Sequence, residues 1–430
     1  MSTSTPASSA VCNAARDLLQ RGLWKIVTEG AAMTPDPRPT APRRSVLAIA
    51  AVFFVNGCTF SSWSPRLPEL QAELGISDTA LGFTLVGMGV GGLAASALSG
   101  RMVDRRGSRT MTVATSIALS LLLPLLAVMP AAALVFGTLI VLGALDGLTD
   151  VAMNSQAIDL QRHLGRSVLT RFHALWSAGA VTGGLLASRA AAVGVPIGLH
   201  LAIVGVALAT TTALAARWLL PDRHAHVVVV SGGVGAEDPA GPGRTPPRVL
   251  IALVLLGVGI ALVELPPNDW AALLMADRFD LSDGAAALGF VATAVGMFVG
   301  RLGGDHIADA LGLERTRRGG ALLAALGILV ATTAPVPALA WIGLFVAGLG
   351  LSSLFPLAFR AASDLVHGSH TGMAAFSSGA RAGFLLASPL VGVIAGATSV
   401  AVALLVVAGT AGLAVGVARL PHSPAVTPAA

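Results

Sequence analysis

A soluble chain of 430 residues would form two or three domains with about a quarter of its residues charged. Here 54% of residues are apolar and 11% charged, which excludes that class and points to a chain embedded in lipid. The formal charge of +5 invites a nucleic-acid reading that its placement excludes, and two cysteines, Cys12 in a polar tail and Cys58 in an apolar run, exclude a disulfide framework.

Residues 1–44 are polar and Pro-rich and read as a disordered cytoplasmic tail without a cleavable leader; Met33 is a second candidate start. Twelve apolar runs of ~18–24 residues follow, each long enough to cross a bilayer. They lie near 45–65, 80–100, 110–129, 132–157, 172–192, 198–219, 248–269, 285–304, 319–335, 338–359, 372–395 and 398–419. Spans 3 and 4 meet at Pro130, and spans 9 and 10 at Pro337. Eleven spans instead of twelve would put the termini on opposite sides. Residues 220–247 are rich in Gly, Pro and acidic side chains around the short run Val227–Val230, and form a polar cytoplasmic linker. The expected organisation is an all-α polytopic membrane protein with two six-helix bundles, 45–219 and 248–419, and a cytoplasmic tail at 420–430.

Charge orients the spans. Arg101, Arg105, Arg106 and Arg109 follow span 2, and Arg162, Arg166 and Arg171 follow span 4. Arg217, Arg223, Arg244 and Arg248 flank the linker, and Arg301, Arg315, Arg317 and Arg318 follow span 8. The other side carries only Arg66, Arg189 and Arg278. This positive-inside pattern places both termini in the cytoplasm and accounts for the basic residues without nucleic acid. The halves also repeat. Trp63 and Ala80-Leu81-Gly82-Phe83 match Trp270 and Ala287-Leu288-Gly289-Phe290 at one offset; Ser77-Asp78 and Asp104 match Ser282-Asp283 and Asp309 two residues away from it. Two such halves joined by an inner linker are the plan of a large class of transporters, with the site near the midplane between them.

After span 2 the chain reads Gly100-Arg101-Met102-Val103-Asp104-Arg105-Arg106-Gly107-Ser108-Arg109. This stretch resembles the signature loop of the major facilitator superfamily, Gly-x-x-x-Asp-Arg-x-Gly-Arg-Arg, with Ser108 where a basic residue is common. The resemblance, with topology and repeat, covers residues 45–419. It implies a pseudo-symmetric twelve-helix transporter in which Gly100, Asp104, Arg105, Gly107 and Arg109 latch the halves on the cytoplasmic side. The second copy keeps Asp309 and Gly312 and lacks the basic pair.

Span 4 carries Asp146, Asp150 and Asn154 at i, i+4 and i+8, on one helix face. A carboxylate inside a bilayer costs at least ~2.5 kcal/mol, so such residues commonly face a bundle interior and carry ions or protons. The plainer alternative puts both at the water interface, capping helix contacts. Asp150-Val151-Ala152-Met153-Asn154 is similar to the acidic-x-Ala-x-Asn segment of helix 4 in L-fucose–proton symporters, which implies Asp150, ahead of Asp146, as the proton carrier. The acidic residue those symporters hold late in helix 1 is replaced here by Ser61-Ser62-Trp63-Ser64. The pattern with Asn56-Gly57, Arg66-Leu67-Pro68 and Phe172-His173-Ala174-Leu175-Trp176-Ser177 is closer to an uncharacterised bacterial branch of the superfamily.

His173 opens span 5 and could approach the inner end of the Asp150 face to relay protons, or snorkel to the interface. Trp176, one turn deeper, could stack on a sugar ring or simply pack. Span 7 ends Glu264-Leu265-Pro266-Pro267-Asn268-Asp269-Trp270, where the prolines are expected to break the helix near the outer surface. Glu264 is the second proton-site candidate, and Asp269 with Trp270 suits an outer gate or anchor. Arg381, some ten residues into span 11, requires an acidic partner, an anionic substrate or water, with Asp150 and Glu264 the candidate partners, or else snorkels to the cytoplasm. Asn56 offers a donor and an acceptor to a polar ligand, or bridges helices.

Gly87-Met88-Gly89-Val90-Gly91-Gly92 fits a dinucleotide fingerprint but follows no strand. It reads as helix packing, like Gly179-x-x-x-Gly183 and Gly296-x-x-x-Gly300. His224 and His226 are too few for a metal, and no phosphate loop or nucleophile elbow is present, so neither enzyme activity nor a cofactor is expected. The sequence points to a monomeric inner-membrane secondary transporter of a small polar, sugar-like solute, coupled to protons. A proton-driven efflux antiporter and a non-transporting membrane sensor are the alternatives.

Overall fold

The computed structural model describes residues 43–165, 168–222, 246–365 and 370–418. Most of the N-terminal tail, the C-terminal tail and the linker from Arg223 to Thr245 lie outside the described residues, as do Met33, Cys12, Arg166, Arg244, His224, His226 and the Val227–Val230 run.

Among the described residues all regular structure is helical, in twelve long segments. The first bundle holds α1 (Arg43–Trp63), α2 (Asp78–Arg106), α3 (Ser108–Leu122), α4 (Ala132–Leu164), α5 (Leu169–Ala192) and α6 (Ile197–Ala216). The second holds α7 (Pro247–Phe279), α8 (Asp283–Leu311), α9 (Leu313–Thr333), α10 (Pro337–Leu351), α11 (His370–Ala397) and α12 (Val400–Val417). Short helices extend α1 to Leu74, α3 to Val128 and α10 to Leu365. Ten segments are long and apolar enough to span a membrane; α5 and α9 fall short by composition. Gly, Ser, His173 and two arginines dilute α5, and α9 opens on Arg315, Arg317 and Arg318. The breaks at Met129–Ala131 and Ala334–Val336 separate spans 3 from 4 and 9 from 10, as Pro130 and Pro337 predict. Twelve antiparallel segments bring both described ends to one side, the terminal face.

Small residues let the helices touch backbone to backbone. A Cβ on Gly91 would overlap the Ile140 carbonyl, and one on Gly143 the Met88 carbonyl, which locks α2 against α4. Gly57 and Gly179 do the same for α1 and α5. The second bundle repeats the device with Gly257 and Gly379 between α7 and α11, and Gly296 and Gly348 between α8 and α10. Gly183 and Gly300 also lie against the neighbouring helix, as the two spaced motifs predict. The bundles meet through α2 with α11 and α5 with α8, a pairing that is itself symmetric.

Gly107 separates α2 from α3 at φ +86° and ψ 148°, and Gly312 separates α8 from α9 at φ +86° and ψ 153°. The repeat thus reaches the dihedral level. At Gly107 a carboxylate fills the space: Asp222 accepts from the Arg109 amide and from Thr110 Oγ1, each at 2.7 Å, and so caps the start of α3. Asp104 and Arg105 are exposed beside it, and Gly100 and Arg109 half-buried; Asp309 is exposed at the other copy. A Cβ on Gly107 would collide with the Asp222 carboxyl, whereas one on Gly312 meets nothing within 4 Å. Both alanine substitutions are expected to cost about 1–3 kcal/mol for the left-handed backbone. Gly107→Ala should lower the melting temperature in detergent further than Gly312→Ala, by the lost cap.

Span 7 corrects one expectation. Its prolines do not end the helix: α7 runs unbroken through Pro266 and Pro267 to Phe279. Asp269 and Trp270 are accordingly buried in protein, at 6% and 0% exposure, and are not surface anchors. Prolines persist inside membrane helices where neighbouring helices and side chains cover the freed backbone groups.

Candidate functional site: a charged cavity between the bundles

A cavity of about 180 Å³ lies where α1, α4 and α5 of one bundle face α7 and α8 of the other. Its polar lining is Asn56, Asp146, Trp176, Ser177, Glu264, Asn268 and Arg301. Phe60, Phe290 and Met297 supply apolar wall.

One hydrogen-bonded chain organises the first-bundle side. The indole Nε1 of Trp176 donates to Asn56 Oδ1 at 2.8 Å, and Asn56 Nδ2 donates to Asp146 Oδ1 at 2.9 Å. The Trp176 bond fixes the flip of the Asn56 amide, because the indole can only donate. Asn56 therefore presents its NH2 to Asp146, leaving that carboxylate facing the cavity on a fixed donor. The contacts across Gly57 and Gly179 hold α1 and α5 close enough for these bonds.

On the second-bundle side, Arg301 reaches across. Its guanidinium lies 5.4 Å from the centre of the Trp176 ring, donates to Ser177 Oγ and reaches the Ser352 carbonyl at 3.4 Å. Glu264 faces the same cavity, its Oε2 buried without a hydrogen-bond partner among the described residues. Asn268 Nδ2 donates to the Glu264 carbonyl at 2.7 Å, and Ser64 of the other bundle donates to the Asn268 carbonyl at 2.9 Å.

The cavity is sealed on the face opposite the termini. There Thr79 Oγ1 donates to the Gly392 carbonyl at 3.1 Å, Ser188 Oγ to the Gly284 carbonyl at 2.7 Å, and Phe60 meets Phe290 at 6.3 Å between ring centres. Towards the terminal face the cross-bundle bond given by the described side chains is Arg301 to Ser177.

The sequence candidates separate on this geometry. Asn56, Asp146, Trp176 and Glu264 come together. Asp150 lies one turn nearer the terminal face and is exposed, accepting from Asn154 Nδ2 at 2.9 Å. Asn154 also back-bonds to the Asp150 carbonyl at 2.8 Å. His173 packs edge-on against Phe53, 5.4 Å between ring centres, and bonds to no carboxylate among the described residues. Arg381 is half-buried and outside the cavity lining, with no bond to Asp150 or Glu264. Arg301 lies over one face of Trp176, and the indole N–H is taken by Asn56. Arg301 itself is grouped by charge with the arginines that follow span 8, although the run at 285–304 contains it. It lies ten residues before the end of α8, and its distance from the repeated Asp309, eight residues, is the signal that places it two turns inside.

The sequence profile of the Major Facilitator Superfamily matches residues 49–374. The chain belongs to that superfamily. An uncharacterised transporter of this superfamily from Yersinia pestis is 31% identical over 353 residues, covering 82% of this chain and 89% of the relative. Among solved structures, a variant of the nucleoside transporter NupG aligns with a TM-score of 0.68 at 14% identity, covering 86% of this chain and 97% of its own. A variant of the E. coli fucose:proton symporter FucP aligns with a TM-score of 0.59 at 14% identity, covering 88% and 98%. At those identities the solved structures speak for the fold alone. The expected major facilitator architecture is borne out, and this superfamily member is a multi-pass membrane transporter.

Proposed function

We propose that the protein is a monomeric secondary transporter that moves a small polar, sugar-like solute across the inner membrane by alternating access, coupled to protons. The observation that carries this reading is the cavity: carboxylates from both bundles and one guanidinium converge where the two halves meet. The basic terminal face is the cytoplasm in this reading. The conformer is then inward-facing, with Asp146 at the cavity and Asp150 on the route from the cytoplasm. A neutral carboxylic acid is far cheaper to occlude than a carboxylate, so proton binding at Asp146 lets the bundles close around a loaded site. Asn56 and Trp176 hold that carboxyl in place, and Glu264 with Arg301 completes the polar surface offered to the solute. The cavity volume suits a solute of monosaccharide dimensions better than a bulky drug, and FucP is by name a sugar carrier coupled to protons.

The test uses purified protein in liposomes holding a pH-sensitive dye, challenged with a panel of sugars and polyols. Wild type should admit protons on addition of one solute. Asp146→Asn should reduce that signal to background, and Asp150→Asn should slow it while leaving it measurable. Equal signals from wild type and Asp146→Asn would remove Asp146 from the coupling. A silent wild type across the panel would overturn the uptake reading in favour of efflux.

A further inference from the structure

Asp269 is a carboxylate that the cavity does not use. It is 6% exposed in α7, on the side opposite the termini, and the Ser388 hydroxyl of α11 donates to its Oδ2 at 2.8 Å. No basic side chain pairs with it among the described residues. A carboxylate held by one neutral donor is costly to bury, whereas a carboxylic acid with the same bond is not.

What covers Asp269 is the seam between the bundles. The Ser388 carbonyl lies against Gly82 of α2, and Gly392 packs on the same glycine one turn further along α11. Trp63, Leu81 and Leu85 of the first bundle share one apolar cluster with Trp270, Leu273 and Val391 of the second. The neighbouring Asn268 carbonyl is bonded to Ser64 across the seam. Parting the bundles on this face would strip that cover and admit water. The titratable groups nearest along the elements packed here are Glu264, about 7.5 Å inward along α7, Asp277 and Arg278, two turns outward on α7, Arg381, two turns inward on α11, Asp78 at the start of α2, and Arg66, Glu69 and Glu73 on the extension of α1. None of them bonds to Asp269.

We propose that Asp269 is a second proton-binding residue of the transport cycle, one that couples opening of the face opposite the termini to loss of its proton. The proton passes between the Asp269 carboxyl and water on that side: it leaves when the seam parts and must return before the seam closes. The proposal deepens the proton-coupled reading, yet its test needs no solute and does not pass through Asp146.

The experiment places nitroxide labels at Glu73→Cys and Thr398→Cys, exposed positions on that face in different bundles, in a Cys12→Ser, Cys58→Ala background. Distances are measured by double electron–electron resonance on the full chain in lipid nanodiscs at pH 5.5 and 8.5. The background protein should gain a longer-distance population at pH 8.5. Asp269→Asn, nearly isosteric with the protonated acid, should keep the short distance at both values, while Asp146→Asn retains the response. Ser388→Ala keeps the carboxyl and loses the donor that stabilises its charge under the closed seam, so it should enlarge the long-distance population at pH 8.5 and not at pH 5.5. A background that does not respond to pH, an Asp269→Asn variant that responds like it, or a Ser388→Ala variant with an unchanged response would overturn the proposal.

Discussion

Arg301→Gln is expected to stop transport and to lower the melting temperature of the purified protein by several degrees, with part of the stability returning in the double variant Arg301→Gln, Glu264→Gln. Arg301 carries positive charge into a cavity lined by Asp146 and Glu264. Opposite charges several ångströms apart in a protein attract by roughly 2 kcal/mol at an effective dielectric near 20. Removing the cation leaves Glu264, whose Oε2 has no hydrogen-bond partner among the described residues, as an uncompensated buried carboxyl. Neutralising it in the same chain removes that cost, so the two substitutions should be strongly non-additive in a double-variant cycle. Transport should not return with stability, because the bond to Ser177 and the contact over Trp176 are lost in both variants. Arg301→Lys should also fail. An ammonium is a point charge and cannot span Ser177 and the Ser352 carbonyl while lying over the indole. Additive stabilities, or transport by Arg301→Lys near the wild-type rate, would show that Arg301 is only a packing element.

What the sequence conveys about this site stops at depth. Period and charge identify span 4 and put Asp146, Asp150 and Asn154 on one face, but a helix face says nothing of where along it the cavity ends. That position is set by Asn56, ninety residues earlier, which selects Asp146 and leaves Asp150 one turn away with Asn154. The same limit hid Arg301. The apolar run at 285–304 already contains it, but charge counting assigns it to the connection, and α8 continues for ten residues beyond that arginine because Gly312, not Arg301, turns the chain. The prolines of span 7 misled for a related reason. Their local cost is real, but tertiary cover decides whether a helix stops. The architecture was legible because it rests on repeated, local signals: twelve apolar runs, the arginine asymmetry, and two copies of an Asp and Gly turn. The site rests on contacts between residues far apart in the chain, which no periodicity encodes.

The helix seams make the second large prediction, and α4 holds both its arms. Gly143→Ala adds one methyl where the Met88 backbone already sits, so the substitution can be accommodated only by moving α2 away from α4. Overpacking against flexible side chains costs about 1–3 kcal/mol, and here a backbone carbonyl cannot rotate aside, so the cost should reach or exceed the top of that range. Gly137→Ala, six residues earlier on the same helix, meets nothing within 4 Å and should be neutral or slightly stabilising, since alanine favours a helix over glycine by about 1 kcal/mol. Folded yield and melting temperature of the two variants, measured side by side, separate a packing effect from a loss of backbone freedom. The symmetric partner, Gly348→Ala against the Thr293 carbonyl, should behave like Gly143→Ala. If all three were tolerated alike, the halves could not be the rigid bodies that alternating access requires. A sharp loss at the two seam positions alone would mean that motion is confined to the surfaces where α2 meets α11 and α5 meets α8, which are the surfaces that cover Asp269 and close the cavity.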